Sequence, residues 1–298
     1  MQSVNQLSEG GPAGATVQPA AQVHLPGVVG PWAALCGVLA TKWTQQASDL
    51  ITLFFVVILV TLGWGTVWHL VTTTDWFGVW AARRPLTQVV AGRGLPYTQL
   101  RSPVGQMGCW ICVLTSWWRE TFWPQLGSPA RGLLAAVALI GASLLILPSR
   151  LGPLHLAFAA LVGLSIVRQR RGSGFPFGES LVGAGLGWLA GHLAFGEMQW
   201  ASLALSLCFA LCAWGVLRVG SGLAVGRAWL WLLNGGLVLG GAVMIAAKQP
   251  LAAVGVGLAL FGQVALQLPL SQGGDPGSMV RRTWLWLMGA MVVAALAI

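Results

Sequence analysis

Long apolar runs, each broken by only a few polar residues, recur along most of the 298-residue sequence. A run of about 20 apolar residues forms a helix long enough to cross the hydrocarbon core of a bilayer. Only 8% of the residues are Asp, Glu, Lys or Arg, whereas a soluble domain carries roughly 25%. So few charged side chains cannot cover a water-facing surface. The sequence therefore predicts an all-α, polytopic transmembrane helical bundle.

Nine apolar runs are predicted to cross the membrane. Their positions are 50–71, 103–118, 132–147, 151–167, 178–195, 199–217, 228–247, 251–270 and 283–298. The 41 glycines favour close packing of such helices, because small residues let their backbones approach. Residues 1–49 are predicted to form an N-terminal cytoplasmic tail, and residues 50–298 the transmembrane domain. Within the tail, the apolar stretch 31–40 is too short to cross and is interpreted as a candidate interfacial segment.

The distribution of Lys and Arg sets the predicted orientation. With these nine runs, six of the 16 basic residues fall on the side opposite the N-terminus: Arg83, Arg84, Arg93, Arg101, Arg150 and Lys248. The other ten fall on the N-terminal side. Because cytoplasmic loops are enriched in Lys and Arg, we predict a cytoplasmic N-terminus and an external C-terminus, in a bacterial inner membrane. The basic residues form no continuous stripe, which argues against a nucleic-acid partner.

Two segments resemble parts of a known family. The stretch RQRRGSGFPFGESLVGAGLGWLAGHLAFGEMQW (168–200) combines a basic loop, a Gly-Glu pair and spaced glycines, and GSPAR (127–131) precedes the run at 132–147. Both resemble the menaquinone-type members of the UbiA superfamily of intramembrane prenyltransferases, at the entries to their fifth and third helices. The resemblance implies a bundle of nine helices with its N-terminus inside.

The acidic motifs of that family are missing from the matching positions. Family members bind a polyprenyl diphosphate through Mg²⁺ that is held by carboxylates after helices two and six, and ionising the C–O bond requires those cations. Here Arg119 and Glu120 follow the second run, and the segment from Arg218 to Arg227 contains no acid. An alternative alignment places the first motif at 74–86, with Asp75 as its one carboxylate. The resemblance thus implies a degenerate member without a metal site or catalytic residues.

A second resemblance concerns pigment binding. His69 lies near the end of the first run and is followed by Trp76 and Trp80, a pattern similar to the α-polypeptides of bacterial light-harvesting complexes. It implies His69 as an axial ligand of bacteriochlorophyll beside the two aromatic residues. His192, an ionisable residue within a run, is a further candidate. The competing interpretations are an interfacial aromatic belt for His69, a hydrogen bond between helices for His192, and an interfacial position for His155.

Several other polar residues inside the runs have structural interpretations. Asn234, Gln263 and Gln267 are predicted to form hydrogen bonds between helices. Cys109 and Cys112 have the spacing of a redox pair, but no second pair accompanies them. The interpretation as small residues on one helix face is therefore favoured.

These features favour a binding protein over a transporter or an enzyme, because the runs hold few ionisable groups and no internal repeat is apparent. We expect a non-enzymatic, UbiA-like subunit that packs in a larger membrane complex, with a photosynthetic reaction-centre or light-harvesting complex as the leading candidate. Its expected partners are membrane lipids, pigments and other integral membrane subunits, and its candidate cofactors are bacteriochlorophyll, carotenoid and quinone. The alternative is an active prenyltransferase acting on a quinone or chlorophyll precursor.

Overall fold

The computed structural model describes residues 26–41, 47–81, 103–171, 175–220, 227–271 and 276–298, and every regular element in these ranges is helical. Nine helices of 14 residues or more can be followed there. They are α1 (Pro26–Leu39), α2 (47–73), α3 (103–146), α4 (149–170), α5 (176–195), α6 (Trp200–Gly220), α7 (Arg227–Ala246), α8 (Pro250–Ser271) and α9 (Pro276–Ala297). A short helix, Trp76–Ala81, follows α2. The predicted all-α architecture is confirmed.

Seven of these helices, namely α2, α3, α4 and α6 to α9, are long and apolar enough to cross a membrane. Helix α1 contributes a shorter apolar segment, Val28–Leu39. Helix α5 is not among the seven, because its glycines together with Glu179 and His192 lower its apolar content. The chain is therefore a helical integral membrane protein, but its helices differ from the nine predicted runs in two places.

The first difference is α3, where the predicted spans 103–118 and 132–147 belong to one continuous helix. Pro124 and Pro129 lie between the two predicted runs. A proline ring in a regular α-helix clashes with the carbonyl group four residues earlier, which for Pro124 is that of Glu120. The structure has a wider π-helical turn there, Trp118–Phe122, and the helix continues through it. The prediction of two separate spans is therefore wrong.

The second difference is α1, which is buried among other helices and not laid on their surface. Ala33 and Ala34 are fully buried, and the indole nitrogen of Trp32 donates a hydrogen bond to the carbonyl of Met288 in α9 (3.3 Å). Helix α1 also packs against α2 and, most extensively, against α5. Residues 31–40 thus belong to the core of the bundle, although their length alone suggested an interfacial segment.

Consecutive helices run in opposite directions. Gly132 of α3 packs against Leu70 of α2, whereas Ile140 packs against Gly63, so the two helices are antiparallel. Helices α4 and α5 are tied at one end by a hydrogen bond from the Arg150 guanidinium to the Gly196 carbonyl (2.7 Å). The remaining neighbours are joined by short connections, which makes them antiparallel as well. Helices α2, α4, α6 and α8 therefore all end on one side of the bundle.

Glycines let α1 and α5 cross with their backbones in direct contact. Gly37 faces the backbone of Trp188 and His192, and Gly191 faces the carbonyl of Ala34. A Cβ atom at either glycine would overlap the other helix. Small residues permit this kind of approach between membrane helices, and it fixes α1 in the bundle.

Candidate functional site

The basic residues collect at one end of the bundle, the end where α2, α4, α6 and α8 finish. Of the 11 Lys and Arg residues in the described part of the chain, nine lie at this end, and only Arg150 and Lys248 lie at the opposite end. We call the end where α2, α4, α6 and α8 finish the arginine-rich end. Four further arginines (83, 84, 93 and 101) belong to the connection 82–102, which lies outside the described residues.

Aromatic rings pair with the arginines at this end. The guanidinium carbon of Arg170 lies 4.4 Å from the ring centroid of Phe77, and that of Arg218 lies 5.0 Å from the ring of Trp229. Arg168 stacks in the same way on Phe175 (5.1 Å). Such cation–π contacts stabilise a charged group where the chain leaves the apolar core, and aromatic residues of this kind mark the interfacial layer of a membrane.

The N-terminal part of α3 extends past the end of α2 at the arginine-rich end. Since Gly132 is level with Leu70, and α2 ends at Thr73, residues before about 128 have no α2 beside them. We call residues 103–118 the α3 arm. At 1.5 Å per residue the arm is about 24 Å long, and all of α3 about 66 Å, whereas a bilayer with its headgroups measures about 40–45 Å.

One face of the arm carries large apolar side chains that are largely exposed in the described part of the chain. They recur every three or four residues and so form one stripe: Met107, Trp110, Ile111, Leu114 and Trp118. Met107 is 67% exposed, Trp110 53% and Leu114 51%. The opposite face bears Gly108, Cys112 and Ser116, which are small. An exposed apolar stripe of this size indicates a surface that is covered in the assembled protein.

Of the predicted pigment residues, His69 and Trp76 lie at the arginine-rich end, whereas His192 lies near the opposite end of α5. His69 is half-buried in α2, one turn before its end. The indole N–H of Trp76 is already donated to the Leu70 carbonyl (3.0 Å). Trp80 belongs to the same short helix as Trp76, but its side chain lies outside the described residues.

His192 lies on another helix, α5, and is fully buried. Its Nε2 atom is 2.9 Å from the Glu197 backbone carbonyl, and its Nδ1 atom is buried without a hydrogen-bond partner. No surface of the ring is open to a ligand in this arrangement. The ring thus bonds to the segment that follows its own helix, whereas a hydrogen bond between helices was predicted.

His155, interpreted as interfacial, is buried within the bundle instead. Its Nε2 atom is 3.0 Å from the Ser143 hydroxyl of α3, and its Nδ1 atom is 2.9 Å from the Leu151 carbonyl. The indole ring of Trp64 packs edge-on against the imidazole, with centroids 5.5 Å apart. Hydrogen bonds at both ring nitrogens offset the cost of burying this polar side chain, which hydropathy alone does not reveal.

The positions of the degenerate acidic motifs lie at the arginine-rich end. Arg119 and Glu120 are exposed in the π-helical turn of α3. Arg218 belongs to the last turn of α6, and Arg227 begins α7, although its side chain lies outside the described residues. Asp75 accepts a hydrogen bond from the Gly78 amide (2.8 Å) and so caps the short helix Trp76–Ala81.

The described part of the chain contains no group of three or more His, Cys, Asp or Glu side chains that could hold a metal ion. The Cys109 and Cys112 thiols are both free. A polar cluster of a different kind lies between α7 and α8: Gln267 and Gln263 donate hydrogen bonds to the side-chain oxygen of Asn234, at 2.8 and 3.2 Å. The prediction that these three residues join two helices is confirmed.

The fold and the apolar helices define a helical integral membrane protein with a single arginine-rich end. No protein-family model, no curated protein and no solved structure matches the chain. Its function is therefore argued from its own residues.

Proposed function

We propose that the chain is a non-enzymatic integral membrane subunit that binds a partner membrane protein through the α3 arm. The observation that carries this proposal is the exposed apolar stripe from Met107 to Trp118. Helix α3 is about 20 Å longer than a bilayer is thick, so a straight α3 takes part of the stripe out of the membrane. An apolar helix on the partner would cover the stripe and shield it from water.

The two faces of the arm allow a matched test of this proposal. A photo-crosslinking amino acid replaces Trp110 on the apolar stripe, or Ser116 on the opposite face, in the full chain in its native membrane. Residue 110 should crosslink to one defined membrane protein, whereas residue 116 should not. Crosslinks from residue 110 to lipid alone would show that the bilayer covers the stripe. That outcome, or equal crosslinking from both faces, would refute the proposal.

A substitution test complements the crosslinking. Replacing Trp110 and Leu114 together with Ser removes two large apolar side chains, and each contributes about 1.5–3 kcal/mol when fully buried. Association with the crosslinked partner should weaken by at least tenfold. The paired control, Cys112→Ser and Ser116→Ala on the opposite face, should leave association unchanged. Equal association of both variants would show that the stripe is not the contact surface.

The proposed orientation has the arginine-rich end in the cytoplasm, with the N-terminus inside and the C-terminus outside. It is supported by the nine-to-two distribution of the basic residues in the described part of the chain, because Lys and Arg are enriched on the cytoplasmic side.

A photosynthetic complex remains our hypothesis for the larger assembly, and its pigment-binding part now depends on His69. The Trp76 indole nitrogen and the His192 Nε2 atom already make hydrogen bonds within the chain. The natively purified complex should then show bacteriochlorophyll absorption that shifts or disappears in His69→Leu. His155→Leu, which alters a buried imidazole on another helix, serves as the control. A colourless complex would reject the pigment hypothesis without affecting the partner-binding proposal.

Membership of the UbiA superfamily is likewise a hypothesis. The helix order supports it in one respect: the segment that begins at Thr74 follows the second helix, and the segment that begins near Arg218 follows the sixth, both at the arginine-rich end. It also favours the alignment that starts the first motif at Thr74. Because Asp75 caps a helix, we propose that prenyl transfer has been lost. Robust Mg²⁺-dependent prenyl transfer by the purified chain would contradict this.

A further inference from the structure

A cavity of about 290 Å³ lies at the arginine-rich end, between the short helix Trp76–Ala81, the end of α4 and the π-helical turn of α3. Five apolar or aromatic side chains and one guanidinium group line it: Trp76, Phe77, Trp117, Phe122, Leu126 and Arg170. A water molecule takes about 30 Å³ in the liquid. The cavity is therefore roughly as large as ten water molecules, which suits a segment of an acyl chain.

Hydrogen bonds and ring contacts hold the walls of this cavity in place. The indole nitrogen of Trp76 donates to the Leu70 carbonyl (3.0 Å), and the Gln169 amide donates to the Thr74 carbonyl (3.4 Å). On the other side the ring of Phe122 lies 4.3 Å from that of Trp118 in a stacked arrangement. The cavity is thus formed before any ligand arrives, which lowers the entropic cost of binding.

Arg170 supplies the only charge in the lining. Its guanidinium packs on the ring of Phe77, and it makes no ion pair with any carboxylate in the described part of the chain. Glu120 belongs to the π-helical turn of α3 that forms the opposite wall, but its side chain does not line the cavity. A positive charge held at the edge of an apolar space matches a ligand with an anionic head and a hydrocarbon body.

We propose that this cavity binds an anionic phospholipid, with an acyl chain between the aromatic rings and the headgroup phosphate on Arg170. The surrounding aromatic residues are typical of the membrane interface. The many basic residues of this end attract negatively charged lipids, each contributing about 1 kcal/mol near the surface. Lipid binding here is independent of the partner protein proposed for the α3 arm.

Native mass spectrometry of the full chain in detergent tests this inference with added phosphatidylglycerol or phosphatidylcholine. The wild-type chain should bind phosphatidylglycerol more tightly than phosphatidylcholine. Arg170→Gln should weaken phosphatidylglycerol binding about fivefold, the factor that corresponds to one interfacial charge. Arg171→Gln is the matched control, because Arg171 is exposed and adjacent but does not line the cavity. It should bind like the wild type.

A second variant tests the apolar part of the cavity. Leu126→Trp places a bulky indole ring in the cavity and should reduce the binding of both lipids. Arg170→Gln, in contrast, should reduce mainly the binding of phosphatidylglycerol. Equal losses in Arg170→Gln and Arg171→Gln would show a diffuse surface charge and overturn the proposal. So would full lipid binding by Leu126→Trp, equal affinity for both lipids, or displacement of the lipid by inorganic phosphate alone.

Discussion

Replacing Gly37 or Gly191 with Ala perturbs the crossing of α1 and α5, the contact that places α1 inside the bundle. A Cβ atom at Gly37 would lie 2.8 Å from the amide nitrogen of His192, whereas an ordinary contact is about 3.5 Å. It would overlap the Trp188 carbonyl oxygen more severely. Because both atoms belong to backbone, no side-chain rotation relieves the clash, and α1 must move from α5 by roughly 1 Å.

The expected cost follows from this geometry. Overpacking a core costs about 1–3 kcal/mol, and a clash between two backbones belongs at the upper end. A loss of about 3 kcal/mol lowers the melting temperature of a chain of this size by about 6 °C, at roughly 2 °C per kcal/mol. The double variant should cost less than the sum of the two, because one alanine has already separated the helices for the other.

Thermal unfolding of the full chain in mild detergent measures these shifts, with loss of the monodisperse species as the signal. Gly141→Ala in α3 and Gly163→Ala in α4 are the matched controls, because a Cβ atom at either position meets no atom within 4 Å. Both controls should melt like the wild type. If Gly37→Ala and Gly191→Ala also melt like the wild type, or if their costs add fully, α1 and α5 do not cross as described.

Three further substitutions probe polar contacts by the same assay. Asn234→Leu removes the acceptor of Gln263 and Gln267 and should cost about 1 kcal/mol, the scale of interhelical hydrogen bonds in membranes; a neutral effect would show that the amide cluster contributes nothing. Trp188→Phe removes the hydrogen bond from the indole nitrogen to the Ser202 hydroxyl (2.8 Å) and should cost about 1 kcal/mol. Trp188→Phe with Ser202→Ala should then cost no more than Trp188→Phe alone, and a fully additive pair would contradict the bond. His155→Leu should cost about 2 kcal/mol, because it removes two buried hydrogen bonds of the imidazole; unchanged stability would contradict its burial.

Hydropathy was sufficient to locate most helices but insufficient for α1. Helices such as α6 and α8 were predicted to within a few residues, because a continuous apolar run requires no knowledge of its neighbours. Helix α5 was also predicted to within two residues at 178–195, whereas α1 is too short for hydropathy to place it in the bundle. Helices α1 and α5 are stabilised by the contact between them. Gly37 and Gly191 permit that contact because they have no side chain to separate the two backbones. The sequence shows the small residues, but it does not show which helix they pack against.

The candidate site shows the same division. The sequence predicted that Asn234, Gln263 and Gln267 would bond between helices, since polar groups at mid-span have few other solutions. It could not show that the α3 arm extends beyond the end of α2, because that depends on Pro124 being accommodated by a π-helical turn. Nor could it show that the Trp76 indole is used within the chain, which depends on where α2 ends.

The central proposal on topology is that all nine helices, including the short α1, cross the membrane with the arginine-rich end in the cytoplasm. Cysteine labelling from outside intact cells tests it most directly, in a chain whose exposed-arm cysteines 109 and 112 are replaced by Ser. A membrane-impermeant maleimide should label Thr41→Cys and Lys248→Cys in intact cells, and Arg171→Cys only after permeabilisation. An N-terminal epitope should likewise be accessible only after permeabilisation. Labelling of Arg171→Cys from outside, or of Thr41→Cys only from inside, would contradict the account.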